Sequence, residues 1–454
     1  MKIWDKRNTS FLLLFVYAVA FSYFAPRIVG AVAFLPLLFL AWRSKSNAVW
    51  IVFLLLLVDN PANFFAGGAL DVNGRVPYYS LGSGITLTFT DFLSMLLLVK
   101  AVMKSPKVDY IYSSGMHVIA FVFFFAILIS FVFSFGVDDV VIFVRQILLL
   151  SQIIFLPRLL PSEEEWMTFL QVLYPIVFLA LIDQVNVLFT GMSLSMLLGG
   201  TATMYHAMVA VTEHSERASR ILTATATNFI CFSSALSLIA SRKPMFKSKI
   251  YLYIVLVACY LQVLLSATRG WFLSYTIMLL LFLFWNRNRK ILKSVIPMLL
   301  IAVVAFYSLQ SSALLQKQAN NALNRMSTLQ EFAQGDITAG GSLGRMDKRL
   351  PVLLKRIAES PFVGFGFSSK ANEYLDTHVG LVSPMINFGI IGYVILLLFI
   401  IKYINRLHKI CHNQDYERSQ QGMVQMGVVA FIGMFIIHFT VSYTHLTLPT
   451  KVSV

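Results

Sequence analysis

Residues 384–401 read PMINFGIIGYVILLLFII, a run without a single charged side chain. At 1.5 Å per residue a helix of this length extends about 27 Å, close to the roughly 30 Å hydrocarbon thickness of a bilayer. Similar runs recur on both sides of it. In chain order they are Phe11 to Ala25, Ile28 to Trp42, Ala48 to Val58, Ile85 to Met103, Met116 to Phe135 and Val140 to Leu160. There follow Trp166 to Phe189, Ile221 to Ala240, Ile250 to Ser266, Trp271 to Trp285, Ile291 to Leu309, Pro384 to Ile401 and Met423 to Phe439. Of 454 residues, 58% are hydrophobic and 13% charged, and 39 are Phe. Mean hydropathy is +0.75. A soluble domain is about 25% charged, so that class is excluded. The runs are continuously apolar rather than alternating, which excludes a closed barrel and leaves helices as the way to pair backbone groups in lipid. The expected fold is all-α: a polytopic helical membrane protein of about 13 transmembrane helices, within a range of about 11–14 because the first three runs are short.

Basic residues alternate between the connecting segments. With the N-terminus inside, cytoplasmic segments hold Lys2, Lys6 and Arg7; Arg43 and Lys45; Lys100, Lys104 and Lys107; and Arg158. Further on they hold Arg242, Lys243, Lys247 and Lys249; Arg287, Arg289, Lys290 and Lys293; and Lys402, Arg406, Lys409 and Arg418. The intervening short loops carry only Arg27, Arg75, Arg217, Arg220 and Arg269. This is the positive-inside pattern. The net charge of +15 therefore records topology and gives no reason to expect a nucleic-acid partner. Phe11 to Ala25 reads as a signal anchor rather than a cleaved leader, since the charge alternation needs it in place. Cys231, Cys259 and Cys411 have neither metal-ligand nor disulfide spacing.

Four segments follow from these spans: 1–309 with helices 1 to 11, a large outside loop 310–383, helices 12 and 13 in 384–440, and a tail 441–454. After Thr440 the apolar pattern stops in mid-helix, and Ser442 to Thr450 reads like one frame of a transposase-type sequencing adapter. The tail is accordingly expected to be an artefact, with His445 carrying no function.

The outside loop, Gln310 to Ser383, has about 74 residues, far beyond an ordinary connection. Ser311 to Phe332 has the apolar spacing of a surface helix, and Gly335 to Gly344 is a Gly- and Ser-rich break. Arg345 to Glu359 resumes a basic amphipathic pattern, with Leu350, Leu353, Leu354 and Ile357 on one side and Pro351 expected to end or kink its first turn. Lys348, Lys355 and Arg356 suit either membrane headgroups or a site. Arg345 and Arg349 stand at a helix start after a Gly-rich segment, where backbone amides and guanidinium forks together can hold a phosphate.

Three charges lie inside apolar runs towards their outer ends: Arg145, Asp91 and Asp183. Counted from the outer ends of their spans, all three lie about 8–9 Å deep. Buried charges are costly in lipid and face a cavity or one another. Two readings stay open: an outward-open polar cavity in which Arg145 meets a phosphate, or a structural pair between Arg145 and Asp183 or Asp91.

Three stretches carry a family resemblance. They are Ser266-Ala-Thr-Arg269-Gly-Trp271; Gly341-Ser-Leu-Gly-Arg345 with Pro361-Phe-Val-Gly364-Phe-Gly366; and His378 followed by Phe388-Gly389-Ile-Ile-Gly392. In order and placement they resemble the O-antigen ligase and O-antigen polymerase superfamily of bacterial membrane glycosyltransferases. The likeness covers about Leu265 to Leu398, and Val379 stands where the family commonly has a small polar residue. It implies transfer of a glycan from an undecaprenyl diphosphate carrier outside the cytoplasmic membrane, without a nucleotide sugar, cofactor or metal. It also implies as partners the lipid-linked oligosaccharide, a glycan or lipid A core acceptor, membrane lipids and a chain-length regulator.

A departing diphosphate needs its charge stabilised, and an attacking hydroxyl needs a base. Arg269 and Arg345, with Arg349 as the substitute for Arg345, are the candidates for the first role, and His378 for the second. Arg269 as a topology anchor and His378 as a solvated loop histidine remain the alternatives. Repeat-unit polymerase is favoured over ligase. A flippase or secondary transporter is the competing class, although no internal repeat is visible.

Overall fold

The structure, a computed structural model, describes residues 6–25, 27–59, 62, 64–65, 76–80, 86–104, 113–133, 148, 156–190, 192–198, 224–240, 248–266, 268–285, 316, 320, 344–374, 382–412 and 418–440. These residues are predominantly helical. The helices are α1 (Lys6–Tyr23), α2 (Arg27–Arg43), α3 (Asn47–Asp59), α4 (Phe89–Met103), α5 (Ser113–Ser130), α6 (Glu163–Thr190) and α7 (Leu194–Leu197). Then come α8 (Thr225–Ala240), α9 (Lys249–Leu265), α10 (Arg269–Trp285), α11 (Gly344–Ile357), α12 (Ser369–Tyr374), α13 (Pro384–His412) and α14 (Arg418–Thr440). A short antiparallel pair, β1 (Tyr78–Ser80) and β2 (Thr86–Thr88), precedes α4.

Each expected apolar span coincides with a described helix, except Val140–Leu160 and Ile291–Leu309, which lie largely or wholly outside the described residues, as do Ser311–Phe332 and the 441–454 tail. Among the described residues two helices are long and apolar enough to cross a membrane: Glu163–Thr190 and Pro384–Ile410. Shorter apolar helices of 10–17 residues are Ile28–Arg43, Asn47–Asp59, Ser114–Ser130, Thr225–Ala240, Lys249–Leu265 and Gly270–Phe284. Two boundaries differ from the sequence reading. Of the run Ile85 to Met103, Thr86–Thr88 form strand β2, and the helix opens only at Phe89, because Thr88 and Asp91 form a capping box. Pro351 neither ends nor interrupts α11; it stands on the exposed side of the helix.

Burial follows composition. α3 is apolar all round, and every residue from Ala48 to Leu57 except Leu55 is buried, as such a helix requires when it lies at a centre. α6 and α8 pack on each other and on both α3 and α9, and α14 connects α8 to α10 and α13. α5 packs on α13. The apolar window of α13 is only 17% buried inside the protein, with Ile391, Val394 and Leu398 on its exposed side.

Polar side chains fix the register of these apolar surfaces. Lys100 of α4 donates to the carbonyls of Ala41 and Ser44 (2.8 and 2.7 Å), closing the C-terminus of α2. Asp59, the last residue of α3, accepts from the amides of Ala226 (3.3 Å) and Thr227 (2.7 Å) at the start of α8. The donor-rich end of one helix is thus capped by a carboxylate from another.

Deeper in the bundle, Tyr275 of α10 donates to Asn228 Oδ1 of α8 (2.6 Å), and Asn228 Nδ2 donates to Gln262 Oε1 of α9 (2.6 Å). Gln262 Nε2 in turn donates to the carbonyl of Val177 on α6 (2.5 Å). Gln184 of α6 returns a bond to the Gln262 carbonyl (2.9 Å). This network ties four helices together with both Asn228 side-chain ends satisfied. Removing one member orphans the others, at about 1–3 kcal/mol for a buried polar group. Asn228→Ala should therefore lower stability by about that amount, and Thr190→Ala, at an exposed position, by far less. Thermal unfolding of the two variants in detergent measures the difference.

Candidate functional site

α13 is not one continuous helix. Gly389 has φ 60° and ψ −176°, so the ladder breaks after Phe388 and restarts at Ile390. A break inside an apolar helix strips partners from several peptide groups, and each needs another. They find them in the turn that follows α11. The amides of Phe365 and Gly366 donate to the carbonyls of Ile386 (2.7 Å) and Asn387 (3.0 Å). In the other direction, the amides of Ile390 and Ile391 donate to the carbonyls of Pro361 (2.8 Å) and Phe362 (3.2 Å). Asn387 Nδ2 adds a bond to the Gly366 carbonyl (2.9 Å).

This fit explains the glycines. Gly364 and Gly366 adopt φ 70° and 62°, the left-handed region where a Cβ is unfavourable. A Cβ on Gly364 would lie 2.5 Å from the Gly389 amide and 2.6 Å from the Ile386 carbonyl. One on Gly389 would collide with the Phe362 carbonyl, and one on Gly366 with the Ala126 carbonyl and Ser130 Oγ of α5. Ser130 Oγ also accepts from the Phe367 amide (2.6 Å), so the turn is held by α5 as well as α13.

α11 and α12 complete a small separate core. Leu353 and Ile357 of α11 are buried with Phe365, Ala371 and Ile386. By helical register Arg345 and Arg349 stand eight and four residues before Leu353, on the same stripe and towards the N-terminus of α11. Around this core is a polar clamp. Arg356 donates to the Tyr374 carbonyl (3.0 Å) and lies over the Tyr374 ring at 5.1 Å. The Tyr374 hydroxyl reaches Glu359 (3.0 Å), which pairs with Lys370 at 2.9 Å. Arg356, open between headgroup and site roles in the sequence, thus holds the end of α12. The Lys370 bond holds the Glu359 carboxyl below its ordinary range, and Glu359 in turn holds the Lys370 ammonium above its own.

The remaining candidates are placed as follows. Arg269 is the first residue of α10, following a tight connection in which Ser266 Oγ meets Thr268 Oγ1 at 2.6 Å and the Thr268 carbonyl accepts the first helical bond, from Phe272 (3.1 Å). Asp91 accepts from the amide (2.7 Å) and hydroxyl (2.9 Å) of Thr88 in the capping box. Asp183 is fully buried. Its Oδ1 accepts from Ser193 Oγ (2.9 Å) and the Leu194 amide (2.6 Å), and its Oδ2 has no hydrogen-bond partner among the described residues. Arg145 and His378 lie outside the described residues. The structure therefore brings the described parts of the second and third stretches, Pro361–Gly366 and Phe388–Gly392, into one unit with the helix of Arg345 and Arg349. Asp91 and Asp183 each sit among local partners of their own.

Sequence reading missed Ser130, Asn387 and Tyr374, and named Arg356 without its partner. The one available signal was the two Gly-x-Gly and Gly-x-x-Gly spacings, which mark close backbone approach without naming the partner. Among the described residues no group of three or more His, Cys, Asp or Glu is placed to hold a metal ion. Comparison with protein-family models, curated proteins and solved structures finds no match to this chain.

Gly389→Ala should cost about 2–4 kcal/mol, combining left-handed strain with overlap against Phe362. Gly427→Ala in α14, where an added Cβ meets nothing within 4 Å, should stabilise by about 0.5–1 kcal/mol. Thermal melts of the two variants check the contrast. The Glu359–Lys370 pair contributes fully above the unfolded-state pKa of the carboxylate and is lost as pH falls through its depressed folded value. Protection of the α12 amides, taken relative to their intrinsic exchange rates, should accordingly fall under acid, and Glu359→Gln should remove that part of the pH dependence.

Proposed function

We propose that this chain is a metal-independent membrane glycosyltransferase of the O-antigen polymerase and ligase type, acting on undecaprenyl-diphosphate-linked glycans. In this reading it spans the bacterial inner membrane about 13 times. Its N-terminus is cytoplasmic, and the 310–383 segment lies on the periplasmic side. The observation that carries the reading is the interlock of Pro361–Gly366 with Ile386–Ile391. The Pro361–Gly366 part of the second stretch is bonded to the Phe388–Gly392 part of the third, and α11 packs against the turn and α13.

The interlock also draws together the two ends of the segment that contains His378. The Gly366 amide meets the Asn387 carbonyl, 21 residues apart in sequence as the reverse Asn387–Gly366 side-chain bond records. The Tyr374 carbonyl, held by Arg356, fixes the last described residue before that segment.

In this mechanism Arg269 and Arg345, with Arg349 as the substitute for Arg345, stabilise charge that develops on the departing diphosphate. His378 accepts the proton of the attacking acceptor hydroxyl as the new glycosidic bond forms and the sugar–phosphate bond breaks. The acceptor is the end of another repeat unit for a polymerase, the favoured case, or lipid A core for a ligase.

His378→Ala and Arg269→Ala should each abolish transfer while the protein stays in the membrane at normal levels; retained activity removes that residue from the mechanism. The assay is complementation of hosts lacking either the polymerase or the ligase, with surface glycans separated on a gel. A His378-dependent ladder in the first host identifies a polymerase, and attachment of preformed chains in the second identifies a ligase. Transfer should proceed in the presence of chelators, and inhibition reversed by magnesium or manganese would overturn the metal-independent assignment.

A further inference from the structure

We infer that the turn Pro361–Phe367 is a re-entrant element whose tip, Phe362, contacts bilayer hydrocarbon midway along α5, so that lipid chains are the partner of this surface. The inference rests on the proposed reading in that α5 and α13 are taken as membrane spans. It departs from the sequence expectation that the whole of 310–383 lies in an outside loop.

The turn sits at the level of the middle of a span. Phe362 and Val363 line an apolar groove of about 200 Å³ together with Phe121, Val122 and Phe125 of α5 and Ile391 of α13. Phe121 is eight residues from Ser113 and nine from Ser130, the two ends of α5. At 1.5 Å per residue it is about 12 Å from one end and about 14 Å from the other. Whichever way α5 crosses, the tip of the turn lies beside its middle.

Backbone pairing in the turn suits that depth. Hydrocarbon tolerates an irregular segment only where its peptide groups are satisfied within the protein. The carbonyls of Pro361 and Phe362 accept from Ile390 and Ile391, and the amides of Phe365, Gly366 and Phe367 donate to Ile386, Asn387 and Ser130. The Gly364 carbonyl accepts from Ser360 Oγ (2.8 Å), and the Gly366 carbonyl accepts from Asn387.

The surface of the turn has the same character. It reads PFVGFGF, with no charged or polar side chain. Phe362 is 65% exposed, beside Phe121 at 64% and Ile391 at 53%. In water such a contiguous apolar patch would be costly; in hydrocarbon it is not. No groove residue is charged; the charged groups Arg356, Glu359 and Lys370 of the same unit gather about Tyr374 and the Phe365 ring, and Glu373 stands exposed on α12.

The test is nitroxide accessibility in vesicles of phosphatidylethanolamine and phosphatidylglycerol, using the full chain with Cys231, Cys259 and Cys411 replaced by Ala. Labels are placed singly at Phe362→Cys, at Leu398→Cys on the exposed side of α13 and at Glu373→Cys on α12. Collisions with oxygen should exceed those with a water-soluble nickel complex at Phe362 and Leu398, and the order should reverse at Glu373. Oxygen preference at Leu398 with nickel preference at Phe362 would overturn the inference and leave α13 as a span. Nickel preference at both would overturn the span reading, and the inference with it. A second measurement needs no variant: photolysis of a diazirine midway along a lipid acyl chain should leave adducts on the peptide containing Phe362. Adducts on α5 and α13 peptides with none on that peptide would count against the inference.

Discussion

Peptide groups inside an apolar surround must find partners in the protein, and the break at Gly389 makes that requirement acute. Once α13 is interrupted there, the carbonyls of Ile386 and Asn387 and the amides of Ile390 and Ile391 have lost their helical partners. The turn at Pro361–Gly366 supplies all four. Much of the surrounding arrangement follows from this pairing. Close backbone approach demands glycine at Gly364, Gly366 and Gly389, and the seating of the turn brings Phe365 into the core that α11 and α12 share. α5 is drawn in because Ser130 provides the acceptor for Phe367.

The helical bundle obeys the same constraint through side chains. Apolar surfaces alone specify helix contact weakly where the surroundings are apolar too, and polar contacts then decide register. The Tyr275–Asn228–Gln262 network does this for α6, α8, α9 and α10, and the Asp59 and Lys100 caps do it for the ends of α8 and α2. None of these residues belongs to a recognisable motif, because the bonds join positions on different helices. Their types are ordinary, and only their placement on facing surfaces gives them a task.

The unit built from α11, the turn and α12 is where fold and proposed chemistry meet. Arg345 and Arg349 occupy the N-terminal part of a helix whose C-terminal part is buried against the turn. A basic helix that lay only on headgroups would not need Leu353 and Ile357 buried against Phe365. Arg356 shows the same logic at smaller scale: its guanidinium caps the Tyr374 carbonyl and covers the ring, contacts that its position in a run of basic residues did not suggest.

Helix content and helix position were legible in the sequence, because apolar runs and amphipathic spacing are local properties that a chain carries wherever it folds. The Ile85 boundary was misplaced for a local reason as well: Thr88 and Asp91 satisfy the first amides of α4 better than further helix would. The apolar run at Pro384–Ile401 likewise identified a helix but could not reveal its break, since Gly389 is compatible with either state until a partner is present. The glycines of 364, 366 and 389 could be marked as points of close approach, yet which backbone they approach is set by residues more than 20 positions away or on another helix. Sequence alone determined that the described chain is helical and where its apolar surfaces lie. Tertiary structure alone decided that the turn and the broken helix are one element, because a hydrogen bond between distant peptide groups leaves no periodicity in either segment.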